Sequence, residues 1–167
     1  MPQVIYKPIG IIHSPFNEKT STPIQGIYDP GSIGKVEVFP QYIEGLKDIA
    51  GFSHLFLIYH FHLAEDFSLI TRPFLDNEGK GIFSIRHFNR PNPIGLSVVR
   101  LDKVEGNILT IGEVDILDGT PLLDIKPYMP LFDARPGQDV RKGWYDQAAN
   151  KSEYQRNKGR QKRVEDF

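Results

Sequence analysis

Apolar and polar residues alternate along much of this chain with a period of two, and that period predicts strands. Six runs rich in Val, Ile, Phe and Tyr carry the pattern, at residues 4–12, 35–39, 53–62, 81–87, 96–104 and 108–117. In the third run Leu55, Leu57, Tyr59 and Phe61 take one parity, and His54, His60 and His62 take the other. The three histidines are therefore expected on one face of a strand. Gly106-Asn107, between the last two runs, is a two-residue hairpin signal. Helical spacing shows at residues 40–50, through Tyr42, Ile43, Leu46 and Ile49, and again at 140–149, where Gly143 weakens it. Successive strands with few helices between them argue against a doubly wound α/β fold. They predict a mainly β chain: a small closed or nearly closed β-barrel with one or two short helices, and not a Rossmann domain.

Two long connections interrupt the strands. Residues 14–34 are rich in Pro, Gly, Ser and Thr, and residues 67–80 carry Arg72-Pro73. Loops of that length are usually functional or disordered. The most informative stretch is Arg86-His87-Phe88-Asn89-Arg90-Pro91-Asn92-Pro93-Ile94-Gly95-Leu96-Ser97. Pro91 and Pro93 fix their own φ and bias the residues before them toward extended backbone, so the loop is stiff. Gly95 is expected to let the chain turn or approach a ligand closely. A stiff loop lined with donors suits a preorganised site; the plainer reading is a tight connection built from turn formers.

Composition narrows the chemistry. At 167 residues the chain predicts one barrel domain over residues 1–140 and a basic C-terminal helix or tail over 141–167. With 40% hydrophobic residues it can bury a sizeable core. It has no cysteine, which excludes disulfides, thiolate metal sites and a cysteine nucleophile. The N-terminus lacks the pattern of a signal peptide and no run has the apolar length of a membrane span, so a cytoplasmic protein is expected. The net charge of −1 hides an asymmetry: residues 1–140 hold 12 basic and 17 acidic side chains, residues 141–167 hold 8 and 4. Basic tails such as 151–163 often meet nucleic acid, although a solvated, frayed end reads the same way.

Familiar phosphate-binding signatures are missing. Gly31-Ser32-Ile33-Gly34-Lys35 has too short a glycine spacing for a P-loop, and no glycine-rich turn follows the first strand. His60-Phe61-His62, with His54, His87 or an aspartate completing the set, is the one metal temptation, but no ligand-spaced cluster supports it and no metal is expected. A second constellation runs from Asp115 to Tyr128. Asp118-Gly119-Thr120-Pro121 is a turn whose backbone groups a ligand can read. Asp124, Lys126 and Tyr128 then alternate along an extended segment, so they are expected to point the same way. They form either a proton-handling set or a same-face ion pair with a neighbouring phenol.

Gly51-Phe52-Ser53-His54-Leu55, the loop from Arg86 to Ser97, and Asp115 to Tyr128 together resemble the TsaA/TrmO family, as does Gly10-Ile11-Ile12-His13-Ser14-Pro15-Phe16. The resemblance spans roughly residues 5–135. It implies an S-adenosyl-L-methionine-dependent methyltransferase acting on N6 of threonylcarbamoyladenosine, just 3′ of the anticodon in tRNA. It also implies a homodimer of small β-barrels that hold the cofactor without a Rossmann domain. Cofactor contacts then fall on Pro23, Ile24 and Gln25, on His62 and Leu63, on Arg86 and Leu96, and on Leu117, Asp118, Gly119 and Thr120. Relatives more often carry a basic residue where this chain has Ile24, which implies a backbone-only or weaker contact. Bacterial members usually continue into a C-terminal domain; here the basic segment 151–163 is the candidate for part of the grip on the tRNA anticodon loop.

The implied reaction needs no metal or covalent intermediate, because in-line attack by nitrogen on a methyl sulfonium suffices. A urea-like N6 is a poor nucleophile, so a base is expected. Asp124 or Tyr128 is the candidate for that proton. Lys126 either keeps Tyr128 ionised or binds the threonyl carboxylate, and Arg90, with Asn92 beside it, is a second candidate for the carboxylate. Two other readings stand beside this one: a non-catalytic S-adenosylmethionine- or nucleotide-binding module, and a metal hydrolase built on His54, His60 and His62.

Overall fold

The computed structural model describes residues 3–73 and 76–145. Six antiparallel strands close a barrel: β1 (Gly10–His13), β2 (Ile33–Val38), β3 (His54–His60), β6 (Ile94–Glu105), β7 (Ile108–Gly112) and β8 (Thr120–Pro127). They neighbour one another in the order β1-β2-β7-β6-β3-β8, and β8 pairs back onto β1 through Gly10–Leu122 and Ile12–Thr120. The mainly β, non-Rossmann expectation therefore holds.

Alternation decides what fills the barrel. Leu55, Leu57 and Tyr59 of β3 point inward beside Val99, Leu109, Ile111, Val36, Ile12 and Leu122, all buried. Burial of each such side chain stabilises by about 1.5–3 kcal/mol. His54, Phe56, Ile58 and His60 take the outward parity, as expected, while His62 lies just beyond the strand. Between β3 and β8 the register slips: Ile58 faces Asp124 but Tyr59 faces Leu122, so Leu123 is an extra, bulged residue. The slip reverses the parity of β8. Thr120 and Leu122 point inward before it, and Asp124 and Lys126 point outward after it.

Several elements differ from the sequence pattern for identifiable reasons. The first strand begins at Gly10 rather than residue 4; Pro8 has no N–H to offer a ladder, and Val4, Ile5 and Tyr6 stay exposed. The run 108–117 stops as a strand at Gly112, because Glu113 adopts a left-handed φ of 60°. Residues 40–50 fold into two 3₁₀ helices, Pro40–Leu46 and Ile49–Gly51, parted by Asp48 at φ 65°. Leu46, Ile49 and Phe52 pack on the core at a spacing of three, the repeat of a 3₁₀ helix. The only α-helix among the described residues is α1 (Pro130–Asp133). Residues 140–144 are not helical, Tyr145 is the last described residue of the 140–149 stretch, and residues 146–149, like the basic segment 151–163, lie outside the described residues. The Gly106-Asn107 hairpin is present, with Gly106 at φ 59° joining β6 to β7.

The chain forms two compact units: the barrel unit takes the residues up to Asp66 and Phe88–Asp133, and a second takes Phe67–His87 and the residues from Ala134 onward. In the second unit β4 (Ile70–Thr71) pairs with β5 (Lys80–Gly81), and a 3₁₀ turn, Ile82–Ser84, replaces the expected strand at 81–87. Ile82 and Ile85 are both buried at that spacing of three. Trp144 Nε1–H donates to the Ser84 carbonyl at 2.8 Å and ties the unit's two segments together. No helix among the described residues is long and apolar enough to cross a membrane.

Gly95 serves packing rather than a ligand or a turn. It lies within β6 opposite Tyr59, and a Cβ there would collide with the Tyr59 ring. Gly95→Ala should cost about 1–3 kcal/mol through overpacking. In a Tyr59→Leu background most of that cost should vanish, which a double-mutant cycle by denaturant unfolding will measure.

Candidate functional site

One mouth of the barrel collects most of the candidate residues, where β1 and β3 end and β6 and β8 begin. The Asp118-Gly119-Thr120 turn leads into β8 here, and the His13-Ser14-Pro15-Phe16 segment clamps it. Ser14 Oγ–H donates to the Ile116 carbonyl at 2.6 Å, and the Ser14 N–H donates to Asp118 Oδ1 at 3.0 Å. The Asp118 N–H in turn donates to the Phe16 carbonyl at 2.8 Å. His13 stands outside the clamp, with Nε2 3.2 Å from Glu37 Oε2 and Nδ1 3.7 Å from Asp118 Oδ1. Gly119 has φ 72°, and a side chain there would meet nothing within 4 Å, so the turn's backbone faces open space.

Thr120 joins this turn to the end of β3 and fixes a tautomer. Its hydroxyl donates to the Leu117 carbonyl at 2.7 Å, which uses its only hydrogen. At 3.3 Å from His62 Nδ1, Thr120 Oγ1 can therefore only accept. His62 thus carries its proton on Nδ1 and leaves the Nε2 lone pair for other partners. Burial, and then the charge of His60, lower the His62 pKa below its ordinary value. At neutral pH this ring is an uncharged acceptor.

The first long loop reaches the same mouth. Residues 23–25 lead into a 3₁₀ turn, Gly26–Tyr28, and the Gly26 N–H donates to Asp115 Oδ2 at 3.1 Å. Gly26 sits so close to Glu113 that a Cβ would strike the Glu113 backbone. Gln25 Nε2–H donates to the Ile24 carbonyl at 2.7 Å, and the Ile24 side chain is exposed. Ile24, Leu63 and Leu96 are 53%, 49% and 57% exposed, a high value for such large apolar side chains.

The proline loop is tied to the chain that follows β3. The Phe61 N–H donates to the Pro93 carbonyl at 2.8 Å, and the Glu65 N–H donates to Asn89 Oδ1 at 2.9 Å. Phe88 packs edge-on to Phe61, and Lys19 Nζ lies 4.4 Å from the centre of the Phe88 ring. Asn92 is exposed and Arg90 half-buried in this loop. Arg86 falls in the second unit, where it is exposed.

Asp124, Lys126 and Tyr128 share the outer face of β8, as the alternation predicts. Lys126 Nζ pairs with Asp124 Oδ2 at 2.8 Å, both partly exposed. The strand carries them away from Thr120 toward the other mouth, where Tyr128 packs against the edges of His54 and Phe56. With the bulged Leu123 discounted, at about 3.3 Å per residue Lys126 stands roughly 17 Å along the strand from Thr120. Asp124 is the member nearest the cofactor candidates: Leu96, Ile58 and Asp124 form one outward row across β6, β3 and β8. The histidines do not gather either. His54 starts β3 and His60 ends it, and no metal-ligating group of three His, Asp or Glu side chains occurs among the described residues.

Four residues that the sequence reading gave no role hold this mouth together: Ser14, Tyr59, Ser97 and Asp115. Ser14, Ser97 and Asp115 fall within the segments that carry the family resemblance, and Asp115 also stands out as a carboxylate between Val114 and Ile116 in an apolar run. The serines and the tyrosine looked like ordinary strand and turn residues.

A small closed antiparallel barrel with apolar side chains and open backbone at one mouth defines a ligand-binding barrel of the non-Rossmann kind. The chain belongs to the tRNA-methyltransferase O N-terminal domain family, whose profile matches residues 11–134. It is 55% identical over 157 residues to a Pyrococcus abyssi protein named "Probable S-adenosyl-L-methionine-binding protein", covering 94% of this chain and 84% of that one. It is 33% identical over 141 residues to the Escherichia coli tRNA (adenine(37)-N6)-methyltransferase, covering 78% of this chain and 60% of that one. A crystal structure of TrmO from Pseudomonas aeruginosa superposes with a TM-score of 0.71 at 38% identity, over 85% of this chain and 62% of that one. The chain thus spans about three-fifths of the length of the E. coli protein and of the solved structure.

A lowered His62 pKa means that the unfolded chain binds the proton more tightly. The stability tied to neutral His62 is complete above the unfolded value of about 6.5 and is lost as pH falls through the folded pKa. Nitrogen NMR should show the Nδ1–H tautomer and a titration midpoint below 6.5, and His60→Ala should move that midpoint upward.

Proposed function

We propose that this chain is a cytoplasmic S-adenosyl-L-methionine-dependent tRNA methyltransferase that methylates N6 of threonylcarbamoyladenosine at position 37. The observation that carries the reading is the gathering of residues 23–25, His62–Leu63, Leu96 and residues 117–120 around one mouth of the barrel. The chemistry of that mouth fits the cofactor. Ile24, Leu63 and Leu96 offer apolar surface to an adenine ring or a methionine chain. The open backbone at Gly119 and the acceptor Nε2 of His62 suit polar edges, and an uncharged imidazole does not repel a sulfonium. Relatives named for S-adenosylmethionine binding and for tRNA adenine-37 methylation support the same reading.

When bound, S-adenosylmethionine supplies a methyl group activated by its sulfonium sulfur. The protein's task is to align N6 with that methyl and to remove the N6 proton as the nitrogen attacks. Asp124 is the proposed proton acceptor, since it shares an outward row with Leu96 and its carboxylate is steadied by Lys126. In this arrangement Lys126 serves Asp124 rather than Tyr128, which packs against His54 and Phe56 instead. Arg90 and Asn92 remain the proposed contacts to the substrate carboxylate, and Arg86 a proposed contact to the cofactor. The apolar outer face of β6 beside Leu96, with Ile94 and Val98 exposed, is the proposed surface for a homodimer partner. The basic segment 151–163 is proposed to help hold the anticodon loop.

A second reading, an S-adenosylmethionine-binding module without catalysis, is favoured by the Pyrococcus relative, whose name specifies binding alone. Purified chain incubated with labelled S-adenosylmethionine should methylate tRNA carrying threonylcarbamoyladenosine and leave tRNA with plain adenosine at position 37 nearly unlabelled, read by nucleoside mass spectrometry. Label in neither tRNA favours the binding module, and equal label in both retains a tRNA methyltransferase but removes the threonylcarbamoyl preference. Asp124→Ala should slow single-turnover methylation by about 10²–10⁴-fold with cofactor affinity unchanged. Arg86→Ala should mainly weaken cofactor binding, and Arg90→Ala mainly raise the KM for tRNA; identical effects would dissolve that division of roles.

A further inference from the structure

Asp115 lies beneath the mouth and is joined to segments that flank it on different sides. Its Oδ2 accepts the Gly26 N–H at 3.1 Å, and Gly26 directly follows residues 23–25. Its Oδ1 accepts the Ser97 hydroxyl at 2.6 Å, and Ser97 directly follows Leu96. Asp115 itself stands two residues before Leu117, which opens the Asp-Gly-Thr turn. Three segments that come from separate parts of the chain therefore meet on one carboxylate.

The bonds behind it have a fixed direction. Ser97 spends its only hydrogen on Asp115, so in its 3.0 Å contact with Tyr59 the tyrosine hydroxyl is the donor. The Tyr59 ring fills the space that a side chain on Gly95 would need. Tyr59 thus holds the residues on either side of Leu96, by packing at Gly95 and by hydrogen bonding at Ser97. With both neighbours turned inward, Leu96 is forced outward. The Ser97–Asp115 bond is short at 2.6 Å, and a hydroxyl donating to a carboxylate is among the stronger bonds available to a side chain.

We propose that Asp115 is a positioning residue that sets the spacing between the first loop, Leu96 and the Asp-Gly-Thr turn, and so preforms the cofactor pocket without touching the cofactor. This rests on the reading that the mouth binds S-adenosylmethionine. Asp115→Asn replaces one of the two acceptor oxygens by an NH₂ and keeps the shape. Ser97→Ala keeps the carboxylate and its bond to Gly26. Loss of a hydrogen bond to a charged group predicts that Asp115→Asn weakens binding of S-adenosylmethionine and S-adenosylhomocysteine by about 10–100-fold, measured by calorimetry, with Ser97→Ala weaker in effect. The KM for S-adenosylmethionine should rise while kcat at saturating cofactor and the KM for tRNA stay within about two-fold.

An independent readout needs no cofactor. The Gly26 amide proton should shift in NMR and exchange faster in Asp115→Asn, and should stay protected in Ser97→Ala. Wild-type affinity for both cofactor forms in Asp115→Asn would overturn the proposal, and so would an equal fall in kcat and in use of tRNA, the mark of general loss of structure. Failure of the wild-type chain to bind either compound would defeat the reading of the mouth, and the positioning role with it. The Gly26 amide would still report whether the tie exists.

Discussion

Everything in this molecule hangs on closing six short antiparallel strands into a ring. The weakest link by length is β1, four residues that pair with β2 on one side and β8 on the other. Closure there turns an open sheet into a barrel with no edge, and gives Ile12 and its neighbours a complete apolar surround. The same few residues run straight into His13, Ser14 and Phe16, which clamp the Asp118 turn. Hydrophobic closure and site construction are thus one event. The strand that completes the core also delivers the segment that shapes the mouth.

The division of labour follows from strand geometry. Inward positions are nearly all aliphatic and account for stability. The polar groups that do reach the interior, Ser32, Ser97 and Thr120, sit near strand ends and bond directly to loops. Ser32 shows the principle away from the candidate site: its hydroxyl donates to the Asp29 carbonyl at 2.8 Å and accepts the Val114 N–H at 2.7 Å, locking a long loop to the segment after β7. A barrel this small has no room for a separate ligand cavity inside. Its recognition surface must be built from loops, and loops need such buried anchors to hold a shape.

Much of this was legible in the chain. The inward face of β3 follows from strict alternation at Leu55, Leu57 and Tyr59, and the β6–β7 hairpin follows from Gly106-Asn107. The grouping of the Asp-Gly-Thr turn with the histidine segment came from family resemblance, and the Thr120–His62 bond gives it a physical basis. What could not be read has common causes. Apolar residues at a spacing of three, such as Leu46, Ile49 and Phe52, fit a helix of 3.6 residues per turn nearly as well as a 3₁₀ helix. The end of β7 depends on the left-handed backbone of Glu113, which no side-chain pattern announces. In sequence Gly95 suits a turn or the close approach of a ligand, because its true neighbour, Tyr59, is 36 residues away. Asp124, Lys126 and Tyr128 were correctly given a common face, but alternation says nothing about how far along a strand that face runs from the turn.

The bulge at Leu123 bears on how this architecture tolerates change in length. Before it, β8 presents even-numbered residues to the core; after it, odd-numbered ones. Removing one residue elsewhere in the strand would reverse a face and bring charged Asp124 or Lys126 against Leu55 and Leu57, or expose Leu122. Removing Leu123 alone would leave both faces as they are and take away only the local bend. The bulge is thus the single position where this strand can gain or lose a residue without exchanging inside for outside. The turn that opens β8 and the charged pair further along it can therefore diverge as two cassettes on one backbone, joined by an expansion joint.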